Sequence, residues 1–174
     1  LVESPDIPVI GVGESTLGTI NSYLDMLNLK DEDWMKECQA TYKLGIKFTD
    51  FYKKGDAYYY PFGIKDHQNT QAGCTDWYVK KTLNPDIPTN DFYESFYSSM
   101  PFIYDNKIYD NEDGQLPNFS WKSDVAYHVD AIQFGHMLRD KVALPNGVVH
   151  VKANIVKTNI EMEGNIESIK LDNG

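Results

Sequence analysis

The chain has 174 residues, of which 41% are hydrophobic and 13% aromatic, and it carries a net charge of −10 at neutral pH. This length and composition are typical of a globular domain with its own core and exclude a disordered chain. The acidic excess would repel a phosphate backbone, so nucleic acid is not expected as a partner. No apolar run approaches the roughly 20 residues that a bilayer span requires, so no membrane partner is expected either.

The first elements in chain order are a strand end, a glycine turn and a helix. Pro5 and Pro8 interrupt the chain after L-V-E-S. The segment Ile10–Thr16 (I-G-V-G-E-S-T) then forms a glycine turn that leads into a helical pattern. The apolar residues of that pattern predict a core helix, and they are Leu17, Ile20, Leu24 and Leu27. Asp31 begins a second, short helix.

The next element is a strand with an unusual lysine. Ala40–Phe51 (A-T-Y-K-L-G-I-K-F-T-D-F) alternates between apolar and polar residues, which predicts one strand with an apolar face. Lys43 and the small Gly45 share the other face, where Gly45 would leave room for a ligand. An amine in an apolar pocket can donate a hydrogen bond when charged and act as a nucleophile when neutral. Lys47 lies on the same face about 13 Å along the strand, so the two amines are not expected to serve one reacting atom, and a solvated face is the alternative for both.

The middle of the chain predicts aromatic and helical segments. Tyr58–Gly63 (Y-Y-Y-P-F-G) is dense with aromatic residues, which we interpret as core or as the wall of a ligand site. Trp77–Leu83 and Phe92–Met100 carry apolar residues at helical spacing. Residues 101–122 show little periodicity and predict a long surface loop.

The last third predicts a long helix and then strands. The helix is expected to begin at Ser123 and to end before Pro145, because Val125, Val129 and Ile132 would share one face. Alternating segments from Val148 to Leu171 then predict a β-meander. The whole order predicts an α/β fold with an antiparallel excursion.

The chain ends and the cysteines indicate whether the chain is a fragment and which redox environment it occupies. L-V-E-S reads as the end of a strand, and Asn173-Gly174 is a hairpin turn without its return strand. We therefore expect residues 1–174 to be one partial domain, a fragment of a longer protein. Cys38 and Cys74 do not make a disulfide framework, which fits a reduced, cytoplasmic setting.

Several residues could carry chemistry on these grounds alone. The glycines of Gly11–Glu14 (G-V-G-E) would let the backbone approach a flat or phosphate-bearing ligand, although an ordinary strand-to-helix turn has the same pattern. Glu3, at a strand end, could bind ribose hydroxyls. No metal site is predicted, because the closest pair at ligand spacing, His128 and Asp130, would point apart on a helix.

Six stretches of the sequence form a specific set when they are taken together. They are L-V-E-S-x-x-I-P-x-I-G-V-G-E-S-T at Leu1–Thr16, D-W-M at Asp33–Met35, A-T-Y-K-L-G-I-K-F at Ala40–Phe48, Y-P-F-G at Tyr60–Gly63, A-Y-H-V-D-A at Ala126–Ala131, and G-V-x-x-V from Gly147. In order and spacing, over the whole length, this set resembles the flavin-dependent tryptophan halogenases. The resemblance implies a three-layer α/β fold of the FAD-binding, flavin monooxygenase type with an antiparallel β-meander, truncated at both ends.

The resemblance also implies a reaction. In that family FADH2, O2 and chloride or bromide produce hypohalous acid, which a lysine directs at an aromatic carbon. The lysine of the A-T-x-K-x-x-I-K-F motif falls on Lys43, which would hold hypohalous acid by a hydrogen bond or as a haloamine. The implied partners are an indole-like aromatic substrate, a halide, and a flavin reductase that supplies FADH2.

The resemblance places the cofactor and the substrate as well. FAD would contact eight positions, which are Ser4, Ile7, Ile10, Val12, Gly13, Glu14, Ser15 and Ile155. Ser4 and Ile7 correspond to the surroundings of the adenosine, and the loop that ends at Ser15 corresponds to the isoalloxazine site. The substrate wall corresponds to Tyr60 and Phe62. Because the family has a histidine where this chain has Tyr60, an indole or phenol other than free tryptophan is an alternative substrate.

Two other functions are compatible with the same fold. The first is a hydroxylase that transfers oxygen straight from the flavin, for which the lysine has no use. The second is a non-catalytic binding module that keeps the FAD-type fold. In every case the isolated fragment is expected neither to bind FAD tightly nor to halogenate, because the family's glycine-rich loop and partner glutamate would lie outside it.

Overall fold

The structure is a computed structural model that describes residues 1–8, 11, 14–63, 70–108, 120 and 124–174. These residues form two compact units. The first unit comprises Leu1–Glu14, Trp34–Gln39 and Val129–Gly174, and the second comprises Ser15–Asp33 and Ala40–His128. Helices and antiparallel sheets occur together, and the predicted α/β class is confirmed.

The regular elements are short. In chain order the strands are β1 (Val2–Glu3), β2 (Glu14–Ser15), β3 (Thr41–Lys43), β4 (Gly45–Thr49), β5 (Ala57–Pro61), β6 (Ala126–Val129), β7 (Val151–Lys152), β8 (Ile155–Ile160) and β9 (Ile166–Leu171). The helices are α1 (Ile20–Met26), α2 (Asp31–Trp34), α3 (Thr70–Leu83), α4 (Asn90–Phe96), α5 (Met100–Asp105) and α6 (Ala131–Met137), which continues into a π-helical turn at Leu138–Ala143. Among the helices described, none combines the length and the apolar character that crossing a bilayer requires.

The first unit joins the start of the chain to its last third. Strand β1 pairs in parallel with β7, so that Val2 lies opposite Val151. Strands β8 and β9 form an antiparallel hairpin, and its turn contains Gly164 at a φ of 90°, a left-handed conformation that glycine adopts without strain. The predicted meander is therefore one antiparallel hairpin, preceded by a separate strand that pairs in parallel.

The predicted long helix from Ser123 is wrong over its first turns. Residues Ala126–Val129 form strand β6, and α6 begins at Ala131. The Asp130 carboxylate caps this helix, because it accepts hydrogen bonds from the backbone N–H groups of Ile132 and Gln133 at 3.0 Å. Apolar residues four positions apart mimicked a helical face here, although the capping aspartate marks the true start.

The predicted single strand from Ala40 to Phe51 is two strands that belong to different sheets. Strand β3 pairs with β6, whereas β4 pairs with β5, and the chain passes from one sheet to the other at Leu44. A Cβ atom on Gly45 would lie 2.8 Å from the carbonyl oxygen of Tyr60. Glycine at this position therefore lets the two backbones approach closely.

The second unit holds the core on which β3 and β6 lie. Its buried apolar side chains come from α1, α4, α5 and β6 and from residues next to β5 and β6. Among the described residues they are Leu24, Phe62, Tyr93, Met100, Val125, Ala126 and Tyr127. The predicted loop over 101–122 is wrong at its start, where Met100–Asp105 is helical, and most of its remainder lies outside the described residues. Trp77–Leu83 lies in α3 as predicted, and Phe92 lies in α4.

Candidate functional site

Lys43 is buried, although lysine is among the residues least often buried in proteins. It ends strand β3, and the residue is only 8% exposed. Its Nζ atom donates hydrogen bonds to the Ser15 hydroxyl and to the Thr16 carbonyl oxygen, each at 3.1 Å. The Phe62 ring centroid lies 5.2 Å from the same nitrogen, within cation–π distance. The amine is thus held between two polar acceptors and an aromatic face.

Burial changes the chemistry of this amine. Removal from water disfavours the charged form and lowers the pKa of Lys43 below its ordinary value of 10.5. Its ammonium makes no ion pair with a carboxylate among the described residues. Lys43 therefore loses its proton at a lower pH than a solvated lysine does. When it is charged, Ser15 and Thr16 accept hydrogen bonds from it.

Thr16 fixes the acceptor side of this arrangement. Its backbone N–H donates to the Tyr127 carbonyl oxygen at 2.8 Å, and its hydroxyl accepts from the Tyr127 backbone N–H at 2.9 Å. These two bonds attach the segment after β2 to strand β6, which in turn pairs with β3. The Thr16 carbonyl oxygen that accepts a hydrogen bond from Lys43 is therefore held by the same sheet that carries Lys43. Thr16 was not among the predicted site residues.

A largely buried hydrogen-bond network connects Tyr42 of β3 and Tyr127 of β6 to Asp31 and Asn21. The Tyr127 hydroxyl lies 2.7 Å from an Asp31 carboxylate oxygen and 2.9 Å from the Asn21 side-chain oxygen. The Tyr42 hydroxyl donates to the other Asp31 oxygen at 3.0 Å. Burial, and then the bond to Asp31, raise the pKa of Tyr127 above its ordinary value. The network joins both strands to the start of α2 and makes their positions rigid.

A cavity of about 390 Å³ opens beside Lys43. The described residues that line it come from β3, β4, β5, α5 and β6 and from the segments that adjoin them. They are Tyr42, Lys43, Leu44, Gly45, Lys47, Tyr59, Phe102, Ile103, Asn106, Lys107, Ile108 and His128. This volume falls in the range typical of small-molecule sites.

His128 lies on the same face of the sheet as Lys43. Thr41 lies opposite His128 and Lys43 lies opposite Ala126, which makes Lys43 and His128 diagonal neighbours on the paired strands. Burial, and then the charge of Lys43, lower the pKa of His128 below its ordinary value of 6.5. At neutral pH the His128 imidazole next to the Lys43 amine is therefore uncharged.

The two predicted substrate residues lie differently. Phe62 is buried and its ring lies 5.2 Å from the Lys43 amine, although it is not among the described residues that line the cavity. Tyr60 is 55% exposed, contacts the Phe62 ring at a centroid distance of 6.1 Å, and does not line the cavity. Its neighbour Tyr59 lines the cavity instead, because successive residues of β5 point to opposite faces.

The predicted cofactor positions in the first unit come together at the end of β1. The Ser4 hydroxyl donates to the Asn154 side chain and accepts from the backbone N–H of Ile7 at 3.2 Å. This places Ile7 near Asn154, which immediately precedes Ile155. The Ile7 and Ile155 side chains are 69% and 52% exposed.

The end of β1 fits the adenosine part of a dinucleotide. Exposed apolar side chains can receive a flat ring, and Glu3, at the carboxyl end of a parallel strand, can receive ribose hydroxyls. The Glu3 carboxylate lies 2.7 Å from His150 Nε2 and keeps about half of its surface exposed.

The remaining cofactor positions lie around the glycine turn. Ser15 is exposed at the end of β2 and contributes its hydroxyl to Lys43, and Glu14 is exposed beside it. Ile10, Val12 and Gly13 lie outside the described residues. The structure therefore describes two of the five predicted positions of this loop.

Comparison with known proteins identifies the family. The family model "Tryptophan halogenase" matches residues 1–174. The chain belongs to the tryptophan halogenase family. This confirms the predicted resemblance and makes the chain part of an enzyme family of flavin-dependent halogenases.

Two named halogenases and one solved structure are similar to nearly the whole chain. Tryptophan 7-halogenase RebH of Lentzea aerocolonigenes is 26% identical, over 100% of this chain and 34% of its own length. The 7-chloro-L-tryptophan 6-halogenase KtzR of Kutzneria sp. (strain 744) is 30% identical, over 97% of this chain and 35% of its own length. The solved apo structure of VirX1 is 39% identical and superposes with a TM-score of 0.80, over 99% of this chain and 34% of that chain. The chain thus spans about a third of the length of each of these three proteins.

Proposed function

We propose that the protein to which this chain belongs is a flavin-dependent halogenase that acts on an aromatic, indole-like substrate. We further infer that residues 1–174 form part of one FAD-binding halogenase domain, which a flavin reductase supplies with FADH2. The observation that carries the proposal is the buried Lys43 amine, which lies between the Ser15–Thr16 segment and an aromatic wall. Membership of the tryptophan halogenase family supports it.

In this proposal FAD would be held at its adenosine end by Ser4, Ile7 and Ile155. Bound in its reduced form, FAD would supply, with O2, the oxidising power that converts halide to hypohalous acid. By the family resemblance, Glu14 and Ser15 would also contact FAD.

Lys43 would direct the halogen in one of two ways. As an ammonium, it would donate its third N–H to the oxygen of hypohalous acid, since two of its protons are bound by Ser15 and Thr16. As a neutral amine, which its lowered pKa favours, it would form an N–halogen bond and release water. In both cases an aromatic carbon would attack the halogen while the O–halogen or N–halogen bond breaks. The ring would then lose a proton, so that the net by-product is water from hypohalous acid or the regenerated Lys43 amine from the haloamine.

The mass of the product tests this proposal against the hydroxylase alternative. The complete protein is supplied with FADH2 by a flavin reductase, an indole and bromide, and the products are analysed by mass spectrometry. A halogenase gives a product with the bromine isotope pattern, whereas a hydroxylase gives a gain of one oxygen atom. An oxygenated product without bromine would refute the proposal, and flavin oxidation with no aromatic product would favour the binding module.

The isolated 174-residue chain is expected to be inactive in the same assay. It is also expected not to retain FAD, because it spans only about a third of the related enzymes. Stoichiometric FAD on the purified chain would contradict this expectation.

A further inference from the structure

The cavity beside Lys43 has a charge opposite to that of the chain. The whole sequence contains 26 acidic and 16 basic residues. The lining of the cavity nevertheless contains three lysines (Lys43, Lys47 and Lys107) and His128, and no carboxylate among its described residues. A concave surface that gathers cations in an acidic protein raises the local concentration of anions.

These three lysines also differ from other lysines of the chain. Lys80 pairs with Asp91 at 2.9 Å, and Lys141 pairs with Glu37 at 2.6 Å. By contrast, none of the three lining lysines forms a salt bridge to a carboxylate within the described part of the chain. Within the described residues no carboxylate neutralises their positive charge, so an anionic ligand could do so.

The rest of the lining is suited to an aromatic ring. Tyr42, Tyr59 and Phe102 contribute aromatic surface, and Ile103 and Ile108 contribute aliphatic surface. The Lys47 Nζ atom lies 5.4 Å from the Tyr59 ring centroid, so this lysine is held against the ring side of the cavity. The ligand that fits such a lining has a flat apolar body and a negative charge at one end.

The spacing of the lysines gives the ligand a direction. Of the three lining lysines, Lys43 is buried whereas Lys47 and Lys107 are exposed, so we infer that the mouth of the cavity lies on the side of the exposed pair. Four residues of extended chain separate Lys43 from Lys47 by at most about 13 Å. An aromatic acid can bridge this span with its ring carbon near the Lys43 amine and its carboxylate at the mouth.

We propose that this cavity binds an aromatic carboxylate, so that the substrate is an anionic aromatic acid and not a zwitterionic amino acid. An amino acid such as tryptophan carries an ammonium group as well, which would meet three lysines and no carboxylate of the described lining. Like charges at close range oppose binding. The assignment of this ligand as the substrate rests on the proposed halogenase function.

Equilibrium binding to the complete protein tests the inference without any turnover. Dissociation constants are measured by calorimetry for indole-3-acetate, for its neutral analogue indole-3-acetamide and for L-tryptophan. We expect indole-3-acetate to bind about tenfold more tightly than the amide, because charge-assisted hydrogen bonds are stronger than neutral ones. Equal binding of acid and amide, or tighter binding of tryptophan than of the acid, would overturn the inference.

Lysine variants then locate the effect. Lys47→Met and Lys107→Met are each expected to lower the preference for acid over amide about fivefold, the size expected of partly solvated charges. Lys54→Met is the matched control, because Lys54 is exposed in the turn after β4 and does not line the cavity. The control should keep the wild-type preference. If the preference survives both cavity variants, or if the control lowers it equally, the carboxylate does not bind at this mouth.

These outcomes separate the inference from the proposed function. If the protein prefers the acid through Lys47 and Lys107 but forms no halogenated product, the proposed binding site is supported and the proposed halogenase function is refuted. If it halogenates but shows no preference for the acid, the halogenase function is supported and the proposed binding site is refuted.

Discussion

Gly45→Ala tests whether the passage between two sheets holds Lys43 in place. The added Cβ would lie 2.8 Å from the Tyr60 carbonyl oxygen, 3.1 Å from the Pro61 Cα and 3.3 Å from the Ile103 Cδ1. Two of these three atoms belong to backbone and cannot rotate away. Overpacking of this kind costs about 1–3 kcal/mol, which corresponds to an equilibrium for local opening that is about 5- to 160-fold larger.

Hydrogen exchange measures this opening in the complete protein. The Phe62 backbone N–H donates to the Leu44 carbonyl oxygen at 2.8 Å, so its exchange reports on the contact directly. In Gly45→Ala the exchange of this amide should accelerate by the factor above, and halogenation should fall because Lys43 lies two residues away.

A second glycine provides the control for Gly45→Ala. Gly135 lies in α6, and a Cβ added there meets no atom within 4 Å. Gly135→Ala should therefore stabilise the helix by up to about 1 kcal/mol and leave the Phe62 amide unchanged. Exchange of that amide within twofold of wild type in Gly45→Ala would refute the account of the β4–β5 contact.

Three further predictions concern charge and capping. Lys43→Met should raise the pKa of His128 toward 6.5 by removing a neighbouring charge, although burial should still hold it low; NMR titration of the imidazole measures this, and an unchanged pKa would contradict the contact. Because burial lowers the pKa of Lys43, the unfolded chain binds more protons than the folded one between that pKa and 10.5, so the unfolding free energy from this group rises with pH in that window. In thermal melts, the stability of wild type relative to Lys43→Met should therefore increase as the pH rises toward 10.5. A stability difference that does not change with pH would contradict a buried amine. Asp130→Ala should destabilise α6 by about 1 kcal/mol while Asp130→Asn should not, as amide exchange in α6 would show; equal effects of both would exclude capping.

The sequence identified the central residue but not the reason for its position. Alternation along Ala40–Phe51 placed Lys43 on the face opposite to the apolar residues, and the lysine is buried nonetheless. Gly45 lines the cavity beside Lys43, and it also packs against the β5 backbone, which the sequence did not predict. A change of partner strand at Leu44 depends on β5 and β6, which are distant in sequence, and no local pattern encodes it.

Distance along the chain also explains the contacts that the sequence analysis missed. Tyr127 and Asp31 are 96 positions apart, and the Thr16 and Tyr127 backbones are 111 apart. Each residue looks ordinary in its own segment, because tyrosine suits a strand and aspartate suits a helix start. Their pairing is a consequence of tertiary structure. The start of α6 was different, because Asp130 followed by a helical pattern is a local capping signal that outweighs the valine spacing.

The most direct test of the account is the yield of halogenated product per FADH2 oxidised in Lys43→Met, with Lys54→Met as the control. Both variants of the complete protein are given the same flavin reductase, halide and aromatic substrate. The account predicts that Lys43→Met oxidises FADH2 at the wild-type rate and forms no halogenated product, whereas Lys54→Met keeps the wild-type yield. A wild-type yield from Lys43→Met would contradict the role of the buried amine.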